Sequence, residues 1–160
     1  MLEELNEVLE LILKEPPSVY GYLKGNGKNP KIQGMVLLYP LWQGSFVIAM
    51  AEGLPGNGFL GFHIHEGEQC TGNEKDPFMD AGMHFNPTHE EHPNHVGDLP
   101  PLLVERGRAL EAFYSGRFSP EEVTGKTVII HGMRDDFSAQ PSGDSGEKIA
   151  CGRLIRNDWN

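Results

Sequence analysis

The chain has 160 residues, enough for one domain with a substantial core. Its formal charge of −10 argues against nucleic acid or an anionic membrane surface as partner, and no apolar run approaches the ~18 residues of a transmembrane helix. An apolar fraction of 38% with 20 Gly and 12 Pro favours an all-β fold with many turns over a helical bundle.

Residues 2–15 (LEELNEVLELILKE) carry the pattern of an amphipathic helix. Leu2, Leu5, Leu9 and Ile12 recur at spacings of three and four, Val8, Leu11 and Leu13 widen the apolar surface, and Pro16-Pro17 ends it. A short amphipathic helix must bury its face somewhere, either on its own domain or against a second copy as a dimerisation helix. The same segment has five Glu and no basic run, so it does not read as a secretory leader, and the expected compartment is the cytoplasm unless a leader has been removed. The chain divides into this helix (1–17) and one β domain (18–160).

From Ser18 the texture changes to strands. SVYGYLKG, IQGMVLLYPL, SFVIAMAEGL and FLGFHIHEG are β-prone runs separated by GNGKNP, WQG and PGNG turn signals. LLVERGRALEAFY predicts a hairpin turning at Arg106-Gly107, and SGRFSPEEVTG a connecting loop. KTVIIHGM predicts a strand, RDDFSAQPSGDSGE a polar loop, and KIACGRLI the last strand. About eight antiparallel strands at this spacing imply a Greek-key sandwich or flattened barrel.

Between Gly61 and Asp98 lie six of the seven histidines. His63 and His65 flank one apolar residue, so in a strand both imidazoles leave the same face while Ile64 points the other way. His84, His92, His95 and Asp98 follow in a loop rich in Gly, Pro and Asn, and His131 ends a later apolar run. Clustered imidazoles with one carboxylate are the donors of a transition-metal site; neutral imidazole suits zinc and copper, and three His with one Asp close a tetrahedral zinc site. Cys70 and Cys151, the only two cysteines, could be a disulfide, two reduced core thiols or soft metal ligands.

In chain order GFHIHEG, AGMHFNP, HVGDL, VIIHGMRDD and GEKIACG resemble the successive signatures of the copper,zinc superoxide dismutases, over about residues 18–156. The resemblance implies copper on His63, His65, His84 and His131, and zinc on His84, His92, His95 and Asp98, with His84 bridging the two metals as an imidazolate. The implied substrate is the superoxide anion, dismuted to oxygen and hydrogen peroxide, with the His84 nitrogen on the copper side taking a proton midway through the cycle. The second zinc histidine is His92, eight positions after His84, which leaves His89 as a solvated spare. The interval from His92 to His95 is shorter than the family's. Asp135, four residues after His131, takes the place of the carboxylate that accepts hydrogen bonds from His63 and His92 and joins the two sites. The resemblance pairs Cys70 with Cys151 as a disulfide, and gives Gly61, Gly82, Gly97 and Gly152 backbone roles.

The chain departs from the resemblance at the anion guide. Lys148 stands where the family has an arginine, keeping the charge but losing the planar fork. The acidic residues Asp135, Asp136, Asp144 and Glu147 around the preceding loop imply poor long-range steering of superoxide, and Glu147 is expected to weaken the field beside Lys148. The alternative to an active enzyme, in which His84 and Lys148 are the catalytic residues, is a dismutase-like protein that stores or delivers copper and zinc with little turnover.

Overall fold

The computed structural model describes residues 1–158. The helix α1 spans Leu2–Lys14. Glu15 leaves it in an extended conformation, because a residue that precedes proline is driven out of the helical region. None of its residues is buried. Val8, Leu11 and Ile12 are half-buried, whereas Leu2, Leu5, Leu9 and Leu13 stay exposed, so most of the apolar stripe read from the sequence faces outward.

Ten strands follow: β1 Val19–Gly25, β2 Gln33–Leu41, β3 Gly44–Glu52, β4 Gly58–Leu60, β5 Phe62–His65, β6 Leu102–Val104, β7 Arg108–Ser115, β8 Thr127–His131, β9 Lys148–Arg153 and β10 Ile155–Arg156. The main sheet runs β5-β8-β9-β1-β2-β3-β7 with β10 on β1, and β4 pairs with β6 in a second sheet. All pairings are antiparallel. The main sheet curls into the half-barrel of a Greek-key sandwich. The run read as one strand from Phe59 to Gly67 breaks at Gly61, and its halves join different sheets. The last predicted strand is likewise split at Leu154, which turns its side chain fully into the core.

The hairpins follow local chemistry. β2 and β3 are joined by Trp42 and Gln43 alone. At the β6–β7 turn both Arg106 and Gly107 have positive φ, 50° and 77°, as a tight turn with the sheet's twist demands. The segment expected to be only a connecting loop contains a one-turn helix, α2 (Pro120–Val123), closed by a capping box between Ser119 and Glu122.

Burial alternates along β1 and β3, the signature of a sheet with one face on a core. β5 and β8 differ, being buried on both faces. Phe62, Ile64, Val128 and Ile130 join the barrel core with Leu23, Val36, Leu38 and Val47. By the same alternation His63, His65, Ile129 and His131 point the other way, beneath the loops that follow β5 and β8. Ile129 packs there with Phe78, Ala81 and Cys151 in a separate apolar cluster. The covering loops therefore bury the histidine face. Among the described residues no helix is long and apolar enough to cross a membrane.

Candidate metal centre

β5 and β8 pair with His63 opposite Ile129, and the pairing brings His131 to the same end of the sheet. The loop after β5 crosses back over this end. His84 forms an isolated bridge with His65, and the Ile64 carbonyl accepts the Phe85 N–H at 2.8 Å. Gly97 then donates to the Phe85 carbonyl at 2.9 Å, which lays the His92–Asp98 segment alongside. A Cβ on Gly97 would overlap the Ile64 carbonyl oxygen, so the crossing requires glycine there.

Two groups of donor atoms result, each with all its atoms within 4.8 Å of one another: His63, His65, His84 and His131, and His84, His92, His95 and Asp98. The short interval between His92 and His95 does not prevent the second group from closing. His89 lies outside both groups, on the surface.

Four of the rings are oriented through their other nitrogen. His63 Nε2–H donates to Asp135 Oδ2 at 2.6 Å, and His92 Nε2–H donates to Asp135 Oδ1 at 2.8 Å. His65 Nδ1–H donates to the Gly82 carbonyl at 2.8 Å, and His131 Nδ1–H to the Gly146 carbonyl at 3.2 Å. These bonds turn His63 Nδ1, His65 Nε2 and His131 Nε2 inward as bare lone pairs. The last two lie 3.2 Å apart with no proton left to share between them, a repulsive arrangement that a cation relieves. His84 presents Nδ1 to Asp98 Oδ1 at 2.8 Å and to His95 Nδ1 at 3.4 Å, while its Nε2 faces the first group.

Among the described residues, four buried side-chain atoms lack a hydrogen-bond partner. Three are His63 Nδ1, His84 Nε2 and His92 Nδ1, and the fourth is Thr127 Oγ1. Orphaned buried nitrogens cost stability unless something binds them. Their concentration here, in a set of imidazoles and one carboxylate, fits zinc and copper.

Burial also favours the neutral form of His63, His65, His95 and His131. It pushes His63 down to about 4 against the hydrogen bond to Asp135, and His131 down to about 3 with the help of the His63 charge. His65 is depressed well below its ordinary value, first by burial and then by the charge of His131. The Asp98 carboxyl is raised by burial, but its hydrogen bond with His84 and the charges of His84, His92 and His95 outweigh that and hold it low. Asp135 is held well below the carboxylate range because its bonds with His63, the Phe137 N–H and His92 overcome burial. Neutral imidazoles and ionised carboxylates are the metal-binding forms.

Further residues that the sequence reading passed over support this arrangement. Gly143, at φ 67°, lies against Asp135, and a Cβ there would overlap Asp135 Oδ1 and crowd His92 Nε2. Gln140 clasps the His92 backbone, accepting its N–H at 3.0 Å and donating to its carbonyl at 2.8 Å. Arg117 Nη1 donates to the carbonyls of Pro93 and His95, both at 3.0 Å, and of Asp98 at 3.4 Å. None belongs to a recognisable motif, and the only sequence signal was the turn-forming PSG at Gly143.

Cys70 and Cys151 form a disulfide that ties the loop after β5 to β9. Lys148, three residues before Cys151, lines a cleft of about 340 Å³ that His65, His84 and His131 also line. Its Nζ lies 2.8 Å from Asp76 Oδ2. Glu147 lines the same cleft, and its carboxylate pairs with Lys28 at 3.1 Å. Asp76 is the acid on Lys148.

A model of the copper/zinc superoxide dismutase family matches residues 32–154. A copper–zinc superoxide dismutase of Aquifex aeolicus is 32% identical over 142 residues, covering 79% of this chain and 82% of the relative. One from Photobacterium leiognathi is 36% identical over 121 residues, covering 67% and 69%. The superoxide dismutase-like protein YojM of Bacillus subtilis is 32% identical over 123 residues, and the match takes in 68% of this chain and 61% of the length of YojM. The crystal structure of a SOD-like protein from Bacillus subtilis superposes with a TM-score of 0.70 at 30% identity, covering 83% of this chain and 95% of that one. The metals named by the family are copper and zinc, and both donor groups can bind metal ions. The chain belongs to the copper/zinc superoxide dismutase family.

Proposed function

We propose that the protein dismutes superoxide to oxygen and hydrogen peroxide at a copper ion held by His63, His65, His84 and His131, beside a zinc ion held by His84, His92, His95 and Asp98. The observation that carries this reading is the shared His84 ring. One of its nitrogens faces each donor group, and Nε2 has no other partner. Bound copper supplies one-electron exchange with superoxide, while zinc is redox-inert and serves structure.

The chain's own residues do the remaining work. Asp135 keeps the protons of His63 and His92 on Nε2, so each ring offers Nδ1 to a metal. The Gly82 and Gly146 carbonyls fix the opposite tautomer on His65 and His131. His84 Nε2, buried and without a competing hydrogen bond, is the atom at which a proton can be held between two encounters with superoxide. Lys148 is a cation lining the cleft, and as a point charge it orients an anion less tightly than a forked guanidinium.

The second reading, a copper- and zinc-binding protein with little turnover, is supported by the engagement of Lys148 with Asp76 and by the likeness to a protein described as superoxide dismutase-like. Copper and zinc content and superoxide decay, measured on one purified sample, separate the two. One copper and one zinc per chain with rapid turnover supports the enzyme. Negligible turnover by fully copper-loaded protein overturns it and leaves the second reading.

A further inference from the structure

The charged residues lining the cleft over His65, His84 and His131 are Lys75, Asp76, Glu147 and Lys148, two of each sign. Glu147 is drawn off to Lys28. Lys148 is only 16% exposed along its side chain, and its ammonium is committed to Asp76. Asp76 is itself held by a tight turn. Its Oδ1 accepts the Phe78 N–H at 3.2 Å, and its carbonyl accepts the N–H groups of Asn73 and Met79 at 3.0 and 3.2 Å. The Cys70–Cys151 disulfide fastens the loop bearing Asp76 to the strand bearing Lys148. The contact is therefore a built ion pair between two anchored segments.

Resting on the copper assignment above, we propose that Asp76 is a specificity-determining residue of the anion site: its carboxylate occupies the position on Lys148 that an entering monoanion must take, so binding requires displacement of Asp76. The consequence is a cleft that admits small anions weakly, because each must compete with a tethered carboxylate at high effective concentration. Removing the charge of Asp76 then strengthens anion binding, and the gain runs through Lys148.

Asp76→Asn is the informative substitution, because an asparagine Oδ1 still accepts the Phe78 N–H and preserves the turn. Azide is the probe, titrated into the copper-loaded protein and followed by its charge-transfer absorption. Asp76→Asn is expected to bind azide about fivefold more tightly than the unaltered chain at low salt, with the gain reduced at high salt and absent in an Asp76→Asn, Lys148→Gln double variant. Equal azide affinity, or a gain that persists without Lys148, overturns the proposal. A protein that takes up no copper overturns the copper assignment instead. The masking of Lys148 is then still read on metal-free protein by acetic anhydride labelling and mass spectrometry. Lys148 should be acylated faster, relative to Lys24, in Asp76→Asn, since loss of the carboxylate releases the amine nitrogen from the ion pair that covers it. An unchanged ratio overturns the masking.

Discussion

Arg117 Nη1 and the His95 carbonyl oxygen are joined by a hydrogen bond of 3.0 Å between residues 22 positions apart. The same nitrogen reaches the Pro93 and Asp98 carbonyls, so one guanidinium gathers three backbone dipoles of the segment that carries the proposed zinc ligands. Only Pro93 and Asn94 separate His92 from His95. The segment has turn bonds of its own, from the Asn94 N–H to the Glu91 carbonyl at 2.8 Å and from the His95 N–H to Asp98 Oδ2 at 2.9 Å, and Arg117 with Gln140 adds a hold from outside. Arg117→Ala is expected to lower zinc affinity about tenfold, the low end for an outer partner of a metal ligand. Competition against a chromophoric chelator measures it. Arg117→Lys should recover part of the loss, as an ammonium still donates but without the fork. Unaltered zinc affinity in Arg117→Ala would mean that the segment holds its shape unaided.

Gly143 makes a sharper case. Its φ of 67° strains any L side chain, and an added Cβ collides with the carboxylate that orients His63 and His92. Gly143→Ala should therefore do more than strain a turn. Displacing Asp135 frees the tautomers of two proposed ligands, one in each donor group. The expected results are a loss of about 1–3 kcal/mol in urea unfolding of the metal-free protein and a changed visible spectrum of the cobalt-substituted site. A destabilised variant with an unchanged cobalt spectrum would confine Gly143 to backbone strain.

The contrast between these residues and the histidines shows what the sequence makes legible. His63 and His65 could be placed on one face because a strand repeats every two residues, and the buried Ile64 between them agrees. The hairpin at Arg106-Gly107 followed from turn chemistry, and the helix from its apolar spacing, although most of that stripe proved to face solvent. α2 was missed despite a Ser119-to-Glu122 capping box with Pro at its start, a signal present in the chain. Gly143, Gln140 and Arg117 were missed for a different reason. They act on backbone atoms or by lacking a side chain, across separations that no local pattern encodes. Asp76 illustrates the same limit, for it is 72 positions from Lys148, while the adjacent Glu147 turns to Lys28.

The Cys70–Cys151 bond closes a loop with a sequence separation of 81 that contains β6, β7, β8 and most of the proposed ligands. Cross-linking so long a loop restricts the unfolded chain, and its reduction should cost about 2–5 kcal/mol. Urea unfolding of metal-free protein with and without reductant reads this directly. Coincident midpoints would indicate that the loop after β5 is held by its own contacts, among them the cluster of Phe78, Ala81 and Ile129.

Metal-free protein should also lose stability on mild acidification, in a window set by the histidines. Burial lowers His63 to about 4 and His131 to about 3 in the folded chain, from an ordinary value of 6.5. Below pH 6.5 the unfolded chain therefore binds protons that the folded chain refuses, and stability falls as pH falls. The loss continues until the folded-state values are reached. Asp98 and Asp135, also depressed, add their own loss only below the ordinary carboxylate value of 3.8. The expected change between pH 6.5 and 4 is on the order of 5 kcal/mol for His63 and His131 together, at about 1.4 kcal/mol per unit for each. The urea midpoint of chelator-treated protein, followed across that range, should drop steadily, and His63→Gln, which removes one of these titrations, should flatten the slope. A midpoint that holds constant down to pH 4 would show that the histidine cluster takes up protons without unfolding, and that the metal-free site is open to water.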